Sequence, residues 1–377
     1  MVDYNEGNYY VFCVNFTGMI LANYLRLNGK EVAYLDNDEK KWGKQIVGQT
    51  CISPTDAIKS IPCIIAANNP DSRVAIKKQL QGLGFEQILE VDEEWKKEWV
   101  YSFAPKMDDE LYLKIFWYFR MGYELDIEHP KTFNEKIQWL KLHDRKAEYI
   151  TLADKYEVKK WVSRELGVKY IIPTISVYNS FEEIRKEDLP DQFVLKTTHD
   201  SGGIRICRDK TNFDWDEARS FFQYCLNRDY FYCEREWSYK GILPRIIVEK
   251  LMVDGKNRDL LDYKFFCFNG EPHIIQVDIE RTANHRRNFY TTDWDFLDIS
   301  IGYPNAPECV IPKPDALDEM LNCARELSRN IPHVRVDLYF ISGNIYFGEM
   351  TFYHGGGYEY FSPDSYAYTL GKMITAV

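Results

Sequence analysis

The sequence predicts a mixed α/β protein: a small parallel-sheet module, a helical segment, and a longer region of strands and helices. Three observations predict it. Short apolar runs alternate with amphipathic stretches over residues 9–91, the β-α-β pattern of a parallel sheet. Residues 93–150 are charged, Trp-rich and helical in pattern. From about 151 to the C-terminus strand and helix patterns alternate again. The expected domains are 1–92, 93–150 and 151–377, which suits a chain too long for one typical core.

In order, YYVFCV (9–14) reads as a buried strand and Met19–Asn28 as a helix closed by Gly29. EVAYLD is a second strand ending at Asp36; PCIIAA, a helix near 71–83 and QILEVD complete a sheet with Rossmann-like winding. The phosphate fingerprint of such a fold has three glycines after the first strand. Here the register reads Cys13-x-Asn15-x-x-Gly18, and side chains at 13 and 15 would crowd a pyrophosphate. Asp36 does sit where a ribose-binding acid belongs. The module resembles the small nucleotide-sugar-sensing Rossmann domains attached to polysaccharide enzymes, through its degenerate glycine turn, "LDND" and "G…ISP". Its role is ligand binding or purely structural. Further on, EEWKKEWVYSF and DDELYLKIFWYFRMGYEL read as helices, and TFNEKIQWLKLHDR opens on a capping box, Thr132 with Glu135.

Composition narrows the function. Hydrophobic residues make up 45% and charged residues 28%, as in a soluble globular chain. A net charge of −11 argues against nucleic acid or an anionic membrane as a general partner, and no apolar run is long enough for a span. The acidic N-terminus is unlike a signal peptide. Nine scattered cysteines without C-x-x-C suggest reduced thiols in the cytoplasm and no zinc site. Aromatic stretches within 94–123 suit a dimer face or internal helix packing.

Three elements carry chemistry. The first is a set of lysines at strand ends and helix starts: Lys155, Lys196 and Lys264. Lys196 follows the apolar run Phe193–Leu195 and precedes a polar loop ending in Gly202 and Gly203, whose backbone N–H groups can form an anion nest. The second is RIIVEKLMV, where Glu249 interrupts a buried strand; it meets either a ligand donor or a neighbouring lysine. The third is the hairpin VRVDLYFISGNIYFGEMTF. With a three-residue loop 342–344, Ile341 faces Ile345 and Asp337 falls opposite Glu349, whereas a two-residue loop sends the acids to opposite faces. Opposed carboxylates repel unless a cation lies between them, which points to magnesium.

In this order the elements resemble the ATP-grasp superfamily: Asp154-Lys155, "VLK…SGG" at 194–203, "VEKLM" at 248–252, "DYK" at 262–264 and "VD…GEMT" at 336–351. More narrowly, "HPKTFNEKIQWLKLHDR", "LADKYEVKKWV", "LPDQFVLKTTHDSGG", "DYKFFCFNGEP" and "VRVDLYFISGNIYFGEMTFYHGGG" are similar to the teichuronopeptide-biosynthesis (TupA-like) type, over roughly 110–377. The resemblance implies an ATP-grasp fold for 151–377 and roles for its residues. Lys155 and Lys196 would hold the α- and β-phosphates under a lid made of His199, Asp200, Ser201, Gly202 and Gly203. Glu249, with the backbone of Lys250 and Leu251, would read adenine, and Asp262 the ribose. Asp337 and Glu349 would hold magnesium, with Thr351 where the superfamily often has Asn. Lys264, Arg335 and Arg281 would offset charge on the transferring group, and His199 or His354 would accept a proton from an amine.

The resemblance further implies an ADP-forming carboxylate–amine ligase acting through an acyl phosphate. Its partners would be a uronic acid, free or nucleotide-linked, and a small amine or amino acid, in surface-polysaccharide synthesis. A glycosyltransferase, a kinase that stops after phosphoryl transfer, and a non-catalytic scaffold are the alternatives. The glycosyltransferase needs no ATP lysine pair, and the retained lysines and paired acids count against the scaffold.

Overall fold

The computed structural model describes residues 7–91, 106–254, 260–279 and 284–376, and the chain divides into two compact units, Met1–Leu125 and Asp126–Val377. Of the helical segment, EEWKKEWVYSF lies outside the described residues. Helix Asp109–Met121 belongs to the first unit and helix Phe133–His143 to the second.

The first unit is the expected wound sheet. Its core strands Glu31–Leu35, Asn8–Phe12, Cys63–Ile65 and Ile88–Glu90 run parallel in that spatial order. Gln49–Ile52 extends the Glu31 side in parallel, and Gln45–Ile46 adds an antiparallel edge. The first helix runs Phe16–Leu27, three residues ahead of its expected start, because Asn15 caps it through a hydrogen bond from Gly18 N at 2.8 Å. Helix Asp109–Met121, capped by Asp108 and ended by left-handed Gly122, packs Tyr112 and Phe116 on Phe16. Gly18 has no room for a side chain: a Cβ there would lie 2.1 Å from the carbonyl oxygen of Cys13. Gly18→Ala is therefore expected to cost this unit roughly 1–3 kcal/mol. Thermal unfolding checks it, and an unchanged melting point would show that the turn yields.

The second unit holds two sheets. A four-stranded antiparallel sheet has the order Thr174–Tyr178, Ile246–Lys250, Phe193–Thr197, Ile204–Cys207. Alternation in its strands sends Phe193, Leu195, Ile246 and Val248 onto helix Trp215–Leu226, where they pack with Ala218 and Phe222. The opposite face carries Lys196 and Glu249. A six-stranded antiparallel sheet has the order Phe296–Leu297, Arg286–Thr291, Glu271–Ile279, Asp262–Phe268, His333–Ile341, Asn344–Thr351. Phe265, Cys267, Val334 and Val336 form one core with Met320, Ala324 and Leu327 of helix Leu317–Ser328. The alternate residues Lys264, Arg335 and Asp337 are charged and buried. The predicted capping box is formed: Glu135 N donates to Thr132 Oγ1 and Thr132 N to the Glu135 carboxylate, which seats Phe133 against Phe266 and Phe268. None of the nine cysteines is in a disulfide, and no helix among the described residues is long and apolar enough to cross a membrane.

Candidate functional site

Lys196 is paired. Its Nζ lies 2.7 Å from Glu249 Oε2, and Lys159, from helix Glu157–Glu165, contacts the other carboxylate oxygen. The pairing follows from register: Lys196 opposes Ile247, so Glu249 is its diagonal neighbour on the same face. Of the two partners the sequence left open for Glu249, the structure supplies lysine. Burial raises the Glu249 pKa, but Lys196 and Lys159 outweigh it and hold the carboxyl below its ordinary range. Lys250 N donates to Pro173 O at 3.0 Å, so that part of the Lys250–Leu251 backbone is already engaged.

The loop after Lys196 is anchored from inside. Asp200 is fully buried; it accepts from Thr197 Oγ1, and Arg228 lies 3.4 Å from its other oxygen. Asp200 is thus a strut of the loop, not an exposed lid residue. His199 is 2% exposed and its Nε2 donates to Cys225 O at 3.1 Å. Ser201 and Gly202 are the exposed tip, with Gly202 left-handed at φ 83°. Gly203 returns so close that a Cβ would sit 1.7 Å from Thr197 Oγ1. Lys155 lies against this loop: its backbone N donates to Thr198 O at 3.1 Å and its ammonium to Asp200 O. Burial lowers the Lys155 pKa, while Glu349 and Asp200 pull it back up. Lys155 therefore senses the loop and the six-stranded sheet together.

On that sheet the acids and bases form a dense network. Lys264 Nζ lies 2.8 Å from Asp337, 3.0 Å from Asp262 and 3.8 Å from Asp278. Burial pushes the Lys264 pKa down, but Asp337 and Asp262 carry it above the ordinary lysine value. Asp262 is 3% exposed beneath Lys264, in the network and not on an open wall suited to a ribose. Arg335 grips both oxygens of Asp337 at 2.7 Å and reaches Glu349 Oε1 at 3.0 Å. Glu349 is only partly buried; the desolvation that raises its pKa is outweighed by Arg335, Lys264 and Lys155, which hold the carboxyl below its ordinary range.

The hairpin brings Asp337 opposite Glu349 by an unexpected route. Its turn has two residues, Ser342 and Gly343, both left-handed at φ 50° and 81°, and Ile341 pairs with Asn344 instead of facing Ile345. That turn alone would send the acids to opposite faces. A bulge follows: Asp337 pairs with Glu349 but Leu338 with Phe347, so Gly348 is the extra residue and the pairing is restored. The cation between the acids is Arg335.

His354 does not fit as a proton acceptor for a substrate. Arg335 donates to its Nδ1 at 2.7 Å, its Nε2 lies 2.9 Å from Glu359 Oε2, and it is 2% exposed. Arg281 lies outside the described residues. Thr351 opposes Arg335 and donates its hydroxyl to Glu349 Oε1 at 3.1 Å.

Among the described residues, no three His, Cys, Asp or Glu side chains converge as a metal cage. The donor chemistry still fits one magnesium ion shared with substrate phosphates. Asp262, Asp278, Asp337, Glu349 and Glu359 outnumber the cations Lys155, Lys264, Arg287 and Arg335 by one charge. The Glu349 side chain is 45% exposed and lies beside the Thr351 hydroxyl, whereas Asp337 is saturated by Arg335 and Lys264.

The sequence did not single out Lys159, Tyr239 or Glu236. Tyr239 is half-buried, and desolvation first, then the fields of Glu236, Glu349, Tyr230 and Asp200, push its pKa up. Glu236, 8% exposed, is pushed up to about 8 by burial, with Glu234 adding and Lys141 opposing. No motif marks them, because a glutamate and a tyrosine in a polar stretch look solvated. The sign of the linkage is clear: the folded chain retains at Glu236 a proton that the unfolded chain releases above about 4.5, so stability falls as pH rises from there to about 8. Glu236→Gln is expected to remove that slope. The variant should be more stable than the parent at pH ~8.5 by on the order of a few kcal/mol, and so melt higher there, and match it near pH ~4.5. Parallel melting curves would mean that Lys141 neutralises the carboxylate.

In the first unit the fingerprint region is closed by its own side chains. Asn15 spans from Gly18 N to Ala66 O (2.8 and 3.0 Å), and Asp36 Oδ2 is held by Val14 N at 2.9 Å and Lys41 at 3.0 Å. Cys13, at φ 87°, stands where a glycine would be unstrained.

The family model described as TupA-like ATPgrasp matches residues 135–375. No curated protein matches the chain. Among solved structures, N5-carboxyaminoimidazole ribonucleotide synthetase in its ADP complex is 13% identical, with 92% of this chain and 70% of that one covered and a TM-score of 0.36. The D-alanine–D-alanine ligase of Bacillus anthracis is 16% identical over 98% and 96%, with a TM-score of 0.32. N5-carboxyaminoimidazole synthetase from Staphylococcus aureus is 14% identical over 91% and 69%, at 0.33. With the matched segment spanning more than half of the sequence, the chain belongs to the TupA-like ATP-grasp family.

Proposed function

We propose that this chain is an ATP-dependent, ADP-forming carboxylate–amine ligase, and that its carboxylate is a uronic acid, free or nucleotide-linked, joined to a small amine or amino acid in surface-polysaccharide synthesis. The observation that carries the ligase is the meeting of a glycine loop, Lys155 and the Arg335–Asp337–Glu349 network in one unit. Family membership supports ATP as the co-substrate. The substrate class rests on the resemblance to surface-polysaccharide enzymes.

In this reading a carboxylate oxygen attacks the γ-phosphorus, the bond to the β,γ-bridging oxygen breaks, and ADP leaves. The amine nitrogen then attacks the acyl carbon, the C–O bond to phosphate breaks, and the amine gives up a proton to water. Lys196 releases Glu249 to meet phosphate, while Lys155 holds the loop against it. Lys264 and Arg335 lower the charge around the acyl phosphate, and positioning supplies most of the rate. Magnesium would be held by Glu349 and the Thr351 hydroxyl, with Asp337 fixing Arg335 beside it, and would neutralise phosphate charge.

The test incubates the protein with ATP, magnesium, uronic acids, nucleotide-linked uronates and pooled small amines, read by mass spectrometry. ADP with a new amide mass supports the ligase and names its substrates. A phosphorylated sugar with no amide would make the chain a kinase. Intact ATP with a nucleoside diphosphate released from a sugar donor would replace both with a glycosyltransferase.

A further inference from the structure

Behind Arg335 the polar network closes into a ring. Lys264 joins Asp337 at 2.8 Å, Asp337 joins Arg335 at 2.7 Å, and Arg335 NH1 donates to His354 Nδ1 at 2.7 Å. His354 Nε2 lies 2.9 Å from Glu359 Oε2, and Arg287 NH1 donates to the same oxygen at 2.8 Å. Arg287 Nε lies 3.3 Å from Asp278, whose other oxygen is 3.8 Å from Lys264.

Donor chemistry assigns the histidine. A guanidinium only donates, so Nδ1 must offer its lone pair and the ring proton sits on Nε2, 2.9 Å from Glu359 Oε2 but off hydrogen-bond alignment, so Glu359 acts on it as a neighbouring charge. The space is built for it. A Cβ on Gly355 would lie 2.5 Å from Glu359 Cγ, and one on Gly302 would lie 2.6 Å from its Cδ. Two left-handed glycines, at φ 56° and 71°, thus leave room for one carboxylate. The Phe266 ring meets the imidazole edge to face at 4.6 Å.

Asp337 holds one side of the Arg335 guanidinium, and His354 is the acceptor for NH1. The NH2 that Asp337 also holds is the one that reaches Glu349, the exposed acid of the site. We infer that His354 and Glu359 are positioning residues: they fix the rotation of Arg335 so that it meets the transferring phosphoryl group or the acyl phosphate. This rests on the ligase reading for what Arg335 meets, but not for how Arg335 is held.

Two substitutions separate positioning from packing. His354→Phe keeps the ring against Phe266 but offers Arg335 no acceptor. His354→Gln loses the ring but presents an amide oxygen to Arg335 and an N–H to Glu359. With the ligase substrates, kcat in His354→Phe is expected to fall about 10- to 100-fold with KM for ATP unchanged, and His354→Gln to recover most of it. Arg335→Lys combined with His354→Phe should be no slower than Arg335→Lys alone. Phe tolerated with Gln impaired, a raised KM for ATP, or additive losses would each overturn the proposal. A second readout needs no turnover. In [15N]arginine NMR of the full chain, with Arg335 assigned from Arg335→Lys, His354→Phe should broaden its Nη–H signals and spare Nε–H, which Asp337 holds. Unchanged Nη–H signals would refute the positioning even in an active enzyme. Changed signals in a chain that turns over no substrate would instead refute the ligase and keep the positioning.

Discussion

Lys196→Met abolishes ATP turnover while leaving the chain folded: that is the expected result for the lysine of the glycine loop. Its ammonium is the more exposed of the two that share Glu249. The side chain is 22% exposed, against 12% for Lys159, and both lysines share Glu249. Removing Lys196 leaves Glu249 with one lysine, so the buried carboxylate is not stranded, and the stability cost stays near 1–3 kcal/mol. Turnover should fall at least about 100- to 1000-fold, as when one preorganised charge donor is removed. Lys159→Met is the control. It strips the same carboxylate of a partner, and so should lower the melting point similarly while retaining far more activity. ADP release and thermal unfolding of both variants check this. Equal activity losses would mean that Lys196 matters only as a partner of Glu249.

The two acids of the hairpin should separate cleanly. Asp337→Asn removes the charge that both Arg335 and Lys264 hold, at 2.7 and 2.8 Å, in a buried site. Two buried cations then lose their main counter-charge. The expected cost is about 3–5 kcal/mol, a fall of roughly 10 °C in melting temperature, along with loss of activity. Glu349→Gln disturbs less. With 45% of the side chain exposed, its charge is partly solvated and Arg335 keeps Asp337. That variant should melt within a few degrees of the parent, yet lose ADP formation at every magnesium concentration. If instead Glu349→Gln unfolds and Asp337→Asn stays folded but inactive, the exposed metal-facing acid is Asp337.

Much of the architecture was legible. The β-α-β alternation of the first unit, the Thr132–Glu135 capping box and the strands around Lys196, Glu249 and Lys264 all depend on patterns within a dozen residues. Site geometry was legible only in part. Asp337 opposite Glu349 was expected from a three-residue loop, yet it arises from a two-residue turn corrected by a bulge at Gly348. Turn length and bulge each flip the alternation once, so their effects cancel, and pattern alone does not distinguish the two routes. His354 was a candidate proton acceptor because nothing in the sequence fixes its partner. One of its partners, Arg335, lies 19 positions away, and the room for the other, Glu359, depends on Gly302.

The order of parts, from Asp154-Lys155 through the glycine loop and Glu249 to Asp337 and Glu349, is a one-dimensional property, and it was sufficient to identify the superfamily. Partnership is a three-dimensional one. That Lys196 rests on Glu249, that Arg335 stands between two carboxylates, and that Asn15 and Asp36 close their own crevice all depend on where long side chains end, at strand neighbours and loops far apart in sequence. A buried charge must find a counter-charge wherever the fold brings one within about 3–4 Å, and the folded chain alone sets that distance.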